Sequence, residues 1–278
     1  MKCLKSEFYT LRMLPSVFLI AILALFATGI GASLQWALPF LLKIDPPEVG
    51  EGAVGEQVQA LIDASNPAFS GFQLAALDIT GSGQSSGISI FLITMVALSI
   101  SAASVAFSSG AIVWKVIGSG SRLRWAFSMI AAVLAMVLVV CIAACLFASV
   151  IAAIAAQMHG VSLSVPAGDL ALTWLRGTIA ILLFSAAIIG VVLAVRKVGL
   201  AIGIVVGVVM LGVIVGTIGA MAGWDPMSYA WLPTSAVTTA GGQSLAHAVD
   251  PWIGIASLMG WAVLSLGIGL SRFARTNL

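Results

Sequence analysis

Only 8% of the 278 residues are Asp, Glu, Lys or Arg, against about 25% in a soluble domain, whereas 61% are hydrophobic and the mean hydropathy is +1.16. That composition excludes a water-soluble enzyme or binding domain and describes an integral membrane protein. The longest polar segment, residues 43–87, is near the lower limit for independent folding, so the chain reads as one transmembrane domain over residues 1–278.

Residues 1–14 place Leu4, Phe8 and Leu11 on one helical face with Lys2, Lys5 and Arg12 as the cations. This predicts an amphipathic helix in the headgroup layer, its basic groups toward anionic lipid. Pro15 marks the bend into a first span, 16–42. Residues 43–87 form an acidic outer loop punctuated by Pro46-Pro47 and a Gly/Ser run at 81–87, with one short helix expected over 54–64. A second span follows at 88–107.

Residues 107–124, FSSGAIVWKVIGSGSRLR, are small-residue-rich and carry Lys115, Arg122 and Arg124. Apolar runs free of charge flank them, so they form a tight basic connection between two spans. Its apolar positions (Ala111, Ile112, Trp114, Ile117) suit it to being pushed by a soluble partner. The third span, 125–156, is about 48 Å long as a helix and must tilt or project from the bilayer. A polar link with His159, Pro166 and Asp169 leads to the fourth span, 171–195, and Arg196-Lys197 make a two-residue turn into the fifth, 199–223. There Gly199, Gly203 and Gly207 recur at four, as do Gly212 and Gly216, a spacing that lets helix backbones approach. Residues 224–250 contain apolar pieces too short to span, broken by Pro226, Pro233 and Gly241-Gly242, and are read as re-entrant helices. The sixth span is 251–270.

Six spans alternate sides, and the charges sort with them. The amino-terminal side holds ten of the twelve cations (Lys2, Lys5, Arg12, Lys115, Arg122, Arg124, Arg196, Lys197, Arg272, Arg275) and one acid, Glu7. The excess of Lys and Arg places both termini in the cytoplasm.

Chemistry is conspicuous by its motifs that do not occur. There is no GxxxxGK[ST] or HExxH stretch, and the two histidines, His159 and His247, fall in outer segments. Catalytic and metal-binding residues are therefore assigned as none. Cys141 and Cys145 read as small packing residues. The spans lack paired carboxylates, which weighs against proton- or sodium-coupled transport. Arg176 is the one charge within a span. It either snorkels to the outer headgroups beside Asp169 or another loop acid, or marks the outer mouth of a substrate path. Gln35, Thr94, Ser99, Ser101, Ser104 and Thr217 read first as helix-packing groups and second as cavity lining.

In this order of parts the chain resembles the permease subunits of exporter-class ATP-binding-cassette transporters (the ABC-2 type). Lys5 to Arg12, KSEFYTLR, is similar to their basic opening, with Thr10 where Lys is usual. Ser108 to Trp125 is similar to their hairpin, an E-x-R-x-G-T-I pattern in which Gly110 and Ile112 match and Ala106 and Ser108 replace the Glu and Arg. Trp231-Leu232-Pro233-Thr234-Ser235-Ala236 resembles the LPTSAL stretch before their last helix, and Arg272 to Leu278 their basic ending without its acid.

The resemblance implies an all-α fold of six transmembrane helices. Residues 1–14 become an elbow helix, 107–118 a coupling helix and 224–250 the outer re-entrant segment. It implies docking of an ATPase on Ser109, Gly110, Ile112, Trp114, Lys115 and Arg122. In the re-entrant segment it points to Trp231, Pro233, Thr234 and Ser235. Spans one, two and five would line a path between two protomers, identical or related. ATP and Mg would be bound by the partner ATPase and no cofactor by this chain. Membrane lipid is the remaining partner, and no nucleic acid is expected. The expected function is export of an amphiphilic cargo (antimicrobial peptide, drug or lipid) across a bacterial plasma membrane. A non-transporting membrane sensor or assembly subunit is the alternative, and a membrane enzyme or energy-independent carrier the third reading.

Overall fold

The computed structural model describes residues 2–44, 62, 65–82, 89–242 and 249–275. Among the described residues, six helices are long and apolar enough to cross a membrane, and the protein is a multi-pass, all-α membrane protein. In chain order the helices are α1 (Lys2–Arg12), α2 (Pro15–Ile44), α3 (Ser70–Leu77), α4 (Ile90–Ser108), α5 (Ile112–Ser119), α6 (Arg122–Met158), α7 (Ala167–Val195), α8 (Val198–Met221), α9 (Pro233–Gly241) and α10 (Pro251–Arg275). A 3₁₀ turn, Pro226–Ser228, precedes α9. The spanning helices are α2, α4, α6, α7, α8 and α10. α1 and the end of α10 therefore lie at one end of the bundle, the basic end, with α5. The opposite, acidic end carries α3 and α9.

Four of the six spans, α2, α6, α7 and α10, run past the apolar segments that identify them. α6 has 37 residues, about 55 Å at 1.5 Å per residue, and therefore projects beyond a hydrocarbon core of about 30 Å. Outside the hydrocarbon it is closed by local devices. Ser121 caps its start by accepting from the Arg124 amide at 3.1 Å, and His159 ends it in a tight turn.

The core lies where α4, α6 and α7 meet α10. Leu98, Ala103, Ala126, Val133, Val137, Cys141, Ile189, Leu193 and Leu258 have essentially no exposed surface. Without a hydrophobic difference between lipid and protein interior, close backbone approach must supply the attraction. The tightest crossing is α7 on α10. A Cβ added to Gly190 would fall 2.6 Å from the Leu266 amide nitrogen, and one on Gly269 would strike the Gly190 carbonyl. At the other end of α10, a Cβ on Gly254 would lie 2.5 Å from the Ala236 carbonyl of α9.

The glycine repeat of α8 divides differently from its spacing. Gly199, Gly203 and Gly207 face open space, whereas Gly212, Gly216 and Gly219 receive Thr234, Ser235 and Tyr229. The short helix expected over 54–64 falls, apart from residue 62, outside the described residues, as does most of the Gly/Ser run. α3 was not foreseen: eight residues amid Ser and Gly are too few to reveal a period.

The two glycine environments make a paired test. Gly190→Ala is expected to destabilise the protein by about 1–3 kcal/mol through overpacking. Gly203→Ala, with no neighbour to strike, is expected to be neutral or slightly stabilising, since alanine is the better helix former. Thermal unfolding of the two purified variants in the same detergent decides it; equal melting temperatures would contradict the backbone contact.

Candidate functional site

The hairpin at the basic end is built by two left-handed glycines. Gly110 (φ 68°) turns the chain out of α4, and Gly120 (φ 77°) closes α5 so that α6 can begin at Ser121. Between them α5 has only two turns, so its orientation is set by what its side chains touch. Ile112 is buried, and Lys115 turns inward. The Lys115 ammonium lies 2.9 Å from Glu7 Oε2 and 3.4 Å from Thr10 Oγ1 of α1. Trp125 Nε1 donates to the second oxygen, Glu7 Oε1, at 3.1 Å. Both oxygens of a nearly buried carboxylate are thus engaged, one by α5 and one by α6. Glu7–Lys115 is the one ion pair among the described residues.

Helical phase then decides what α5 shows to its surroundings. With Ile112 and Lys115 inward, Val113, Trp114 and Ile117 face out, Trp114 being 77% exposed. Of the residues singled out on this hairpin, Ser109, Gly110 and Trp114 lie on the open side, and Ile112 and Lys115 on the packed side. The Ser109 hydroxyl donates back to the Val105 carbonyl at 2.7 Å. Arg122 points away from α5, its Nη1 donating to the Ala274 carbonyl of α10 at 3.4 Å. Beneath the hairpin, Phe107, Trp125 and Phe273 pack with centroids 5.4–6.2 Å apart, tying α4, α6 and α10 together. α1 is divided: Leu11 joins the core beside Glu7, whereas Leu4 and Phe8 remain exposed, as suits a helix lying in an interface.

At the acidic end, residues 224–242 descend and return. Tyr229 and Trp224 lie against Gly219 of α8, and Thr234 against Gly212, about 10 Å further toward the other end. α9 then climbs back to Gly242, beside Arg176 and Pro251. This is the described part of the stretch expected to be re-entrant. Its lowest point is anchored by the Trp231 carbonyl, which accepts from Ser257 Oγ and Trp261 Nε1 of α10 at 2.9 Å each. The Trp231 ring is exposed and its Nε1 donates to the Ser228 carbonyl at 2.8 Å. Pro233 and Thr234 are buried and Ser235 is half-buried. Arg176 is half-buried against the carboxyl-terminal end of α9, where a cation complements the helix dipole; among the described residues no acid pairs with it.

Two polar devices at this end escaped the sequence reading. Asp78, buried at the end of α3, accepts the amides of Thr80 and Ser82 at 3.0 Å each and both their hydroxyls. The turn fits against two glycines: a Cβ on Gly177 would meet Ile79 and Thr80, and one on Gly241 would lie 2.6 Å from Ser82 Oγ. Asp with Thr two and Ser four residues on is the signal that could have found it. Gln73, fully buried, donates to the carbonyls of Pro67 (2.9 Å) and Ser162 (3.0 Å) and accepts from the Ser164 amide at 2.8 Å. It sews α3 to the α6–α7 link, while Trp36 of α2 packs edge-on to Phe72 and its carbonyl bonds the His159 ring at 3.0 Å.

Thr94, Ser99 and Ser104 return their hydroxyls to carbonyls of their own helix. On the outer half of α2 an open apolar groove of about 400 Å³ runs past Phe26, Gly29, Ile30, Ser33, Leu34 and Phe147. No three His, Cys, Asp or Glu side chains among the described residues approach closely enough to hold a metal. No protein-family model matches the chain, and neither does any curated relative or solved structure.

Breaking the Glu7 junction has a defined signature. Glu7→Gln or Lys115→Met alone is expected to cost about 1.5–3 kcal/mol, the range for hydrogen bonds to charged groups. The double variant should cost less than the sum by at least about 0.5 kcal/mol in a thermodynamic cycle; strict additivity would count against the bond. At the other end, Gln73→Leu strands two carbonyls and one amide. Amide exchange over α3 and residues 160–166 is expected to quicken at least tenfold, about the effect of 1.4 kcal/mol, while α7 and α10 keep their protection. Hydrogen-exchange mass spectrometry reads both.

Proposed function

We propose that the chain is the membrane permease subunit of an ATP-driven exporter, working with a separate ATPase and a second permease protomer in a bacterial plasma membrane, both termini cytoplasmic. The observation that carries this reading is α5. A two-turn helix at the basic end offers Trp114 and Ile117 outward, while its other face is bonded through Lys115 and Glu7 to α1 and the start of α6. Force applied to the open face reaches a span without passing through a flexible loop. In this reading Ser109, Gly110 and Trp114 meet the ATPase, and Ile112 and Lys115 hold the helix in place, while Arg122, also expected at the docking site, bonds the end of α10. ATP and Mg belong to the partner, whose closure rocks the spans between inward- and outward-facing arrangements.

The re-entrant α9 supports the same reading, since it closes the outer end of the bundle with short helices that a rocking motion can part. An amphiphilic cargo suits apolar walls such as the α2 groove. Arg176 would stand at the outer mouth.

Affinity capture of the chain from its own host in mild detergent tests this. A co-purifying soluble ATPase is expected. Trp114→Ala with Ile117→Ala should weaken its retention by roughly 30-fold, as for loss of an aromatic anchor worth about 2 kcal/mol, with membrane insertion unchanged. A chain that emerges alone, or with membrane proteins only, would move the reading to a sensor or assembly subunit.

A further inference from the structure

The basic end carries a second constellation, on the opposite side of Trp125 from α5. α6 opens with Arg122 and Arg124 in its first turn and no acid there. That is the reverse of what a helix start favours, because its free N–H groups already present about half a positive charge. Arg196 and Lys197 are the whole connection between Val195, the last residue of α7, and Val198, the first of α8. Two apolar spans joined by two residues leave no loop to project, so both cations sit where the helices leave the hydrocarbon.

Arg196 is held there by three contacts. It takes a left-handed backbone (φ 58°), the one such non-glycine among the described residues. Its Nη2 donates to the last carbonyls of α10, Arg272 at 3.1 Å and Phe273 at 3.3 Å, and its guanidinium lies 5.2 Å from the Phe273 ring centre. Arg122 reaches the same helix end through the Ala274 carbonyl. Two guanidinium groups from different elements are thus gathered at one point. Desolvation, and then the Arg122 charge, push Arg196 below the ordinary arginine value. The α10 terminus returns about half a negative charge. Lys197, Arg272 and Arg275, all exposed, add three more cations. Glu7 is the one acidic side chain among the described residues of this end, and Lys115 and Trp125 already engage both its oxygens.

We propose that Arg122, Arg196, Lys197 and Arg272 form a binding site for the phosphate headgroup of an anionic phospholipid, seated between the start of α6, the α7–α8 turn and the end of α10. Planar guanidinium groups match phosphate oxygens in pairs, and a fixed arginine loses little freedom on binding. A lipid phosphate stands at the depth of a two-residue turn, whereas an acidic protein surface would have to enter the headgroup layer to reach it. The site depends on the six spans alone and not on the exporter reading.

The purified chain is taken into micelles containing equal traces of phosphatidylglycerol and phosphatidylcholine, and retained lipid is weighed by native mass spectrometry. Preferential retention of phosphatidylglycerol is expected. Arg122→Gln with Lys197→Gln should lower it roughly 10- to 30-fold, as for two interfacial charges. Lys197→Glu, exposed and outside the α10 contacts, is expected to do the same and serves if the first variant does not fold. Lys5→Gln with Arg12→Gln removes two charges from α1 at the same end, where they face anionic lipid without converging on one phosphate, and should lower retention by clearly less than the site variant, about threefold at most. No preference for phosphatidylglycerol, or equal loss in the α1 variant, would overturn the site. Inorganic phosphate displacing the lipid at millimolar concentration would reassign it to a soluble anion. Displacement by a polyglutamate peptide would reassign it to an acidic protein partner.

Discussion

Burying a carboxylate beside apolar helices is costly unless each oxygen finds a donor, and at the basic end the Glu7 side chain finds them on two separate elements. Lys115 comes from the hairpin helix and Trp125 from the first turn of the longest span. Three elements, α1, α5 and α6, meet at that single group. Its consequences extend to the surface, because α5 turns by about 100° per residue. Once Lys115 faces Glu7, Trp114 and Ile117 have no choice but to face outward, and the hairpin acquires a rigid apolar face.

The rest of the bundle transmits and limits what that face can do. Trp125 packs on Phe273, and Phe273 lies under Arg196, so the junction continues into the end of α10 and the α7–α8 turn. From there α7 and α10 run together through the contact of Gly190 with Gly269, where the backbones themselves touch. A crossing of that kind resists sliding, since neither helix has a side chain that can yield. The pair delivers the basic end to the acidic end as one body, and α9 is fastened to it by Gly254 and by the Trp231 carbonyl.

At the acidic end the problem is reversed: buried irregular backbone must be satisfied inside the protein. Gln73 supplies three hydrogen bonds to segments that are not helical, and Asp78 supplies four to the turn that follows it. Gly177 and Gly241 leave room for that turn against α7 and α9. Polar side chains thus serve as internal solvent for the cap, and the cap stays thin enough to be carried by the spans beneath it.

The six spans were legible in the chain because they depend on composition in runs of about twenty residues. The boundaries of α6 fell short by a few residues at each end, because a capped helix continues past its apolar segment once begun. Lys115 was legible as a basic hairpin residue but its direction was not; that depended on an acid 108 residues away. The same holds for glycine. Spacing singled out Gly199, Gly203 and Gly207, which face nothing, and passed over Gly190 and Gly269, which touch. Nor did α3 announce itself, being shorter than the window in which a period can be counted. What the sequence by itself determined is how many times the chain crosses the membrane and which end is basic, because transfer free energy is additive along a segment. Only the tertiary structure decided which groups meet, since ion pairs, backbone contacts and carbonyl caps depend on distances between segments that no local pattern encodes.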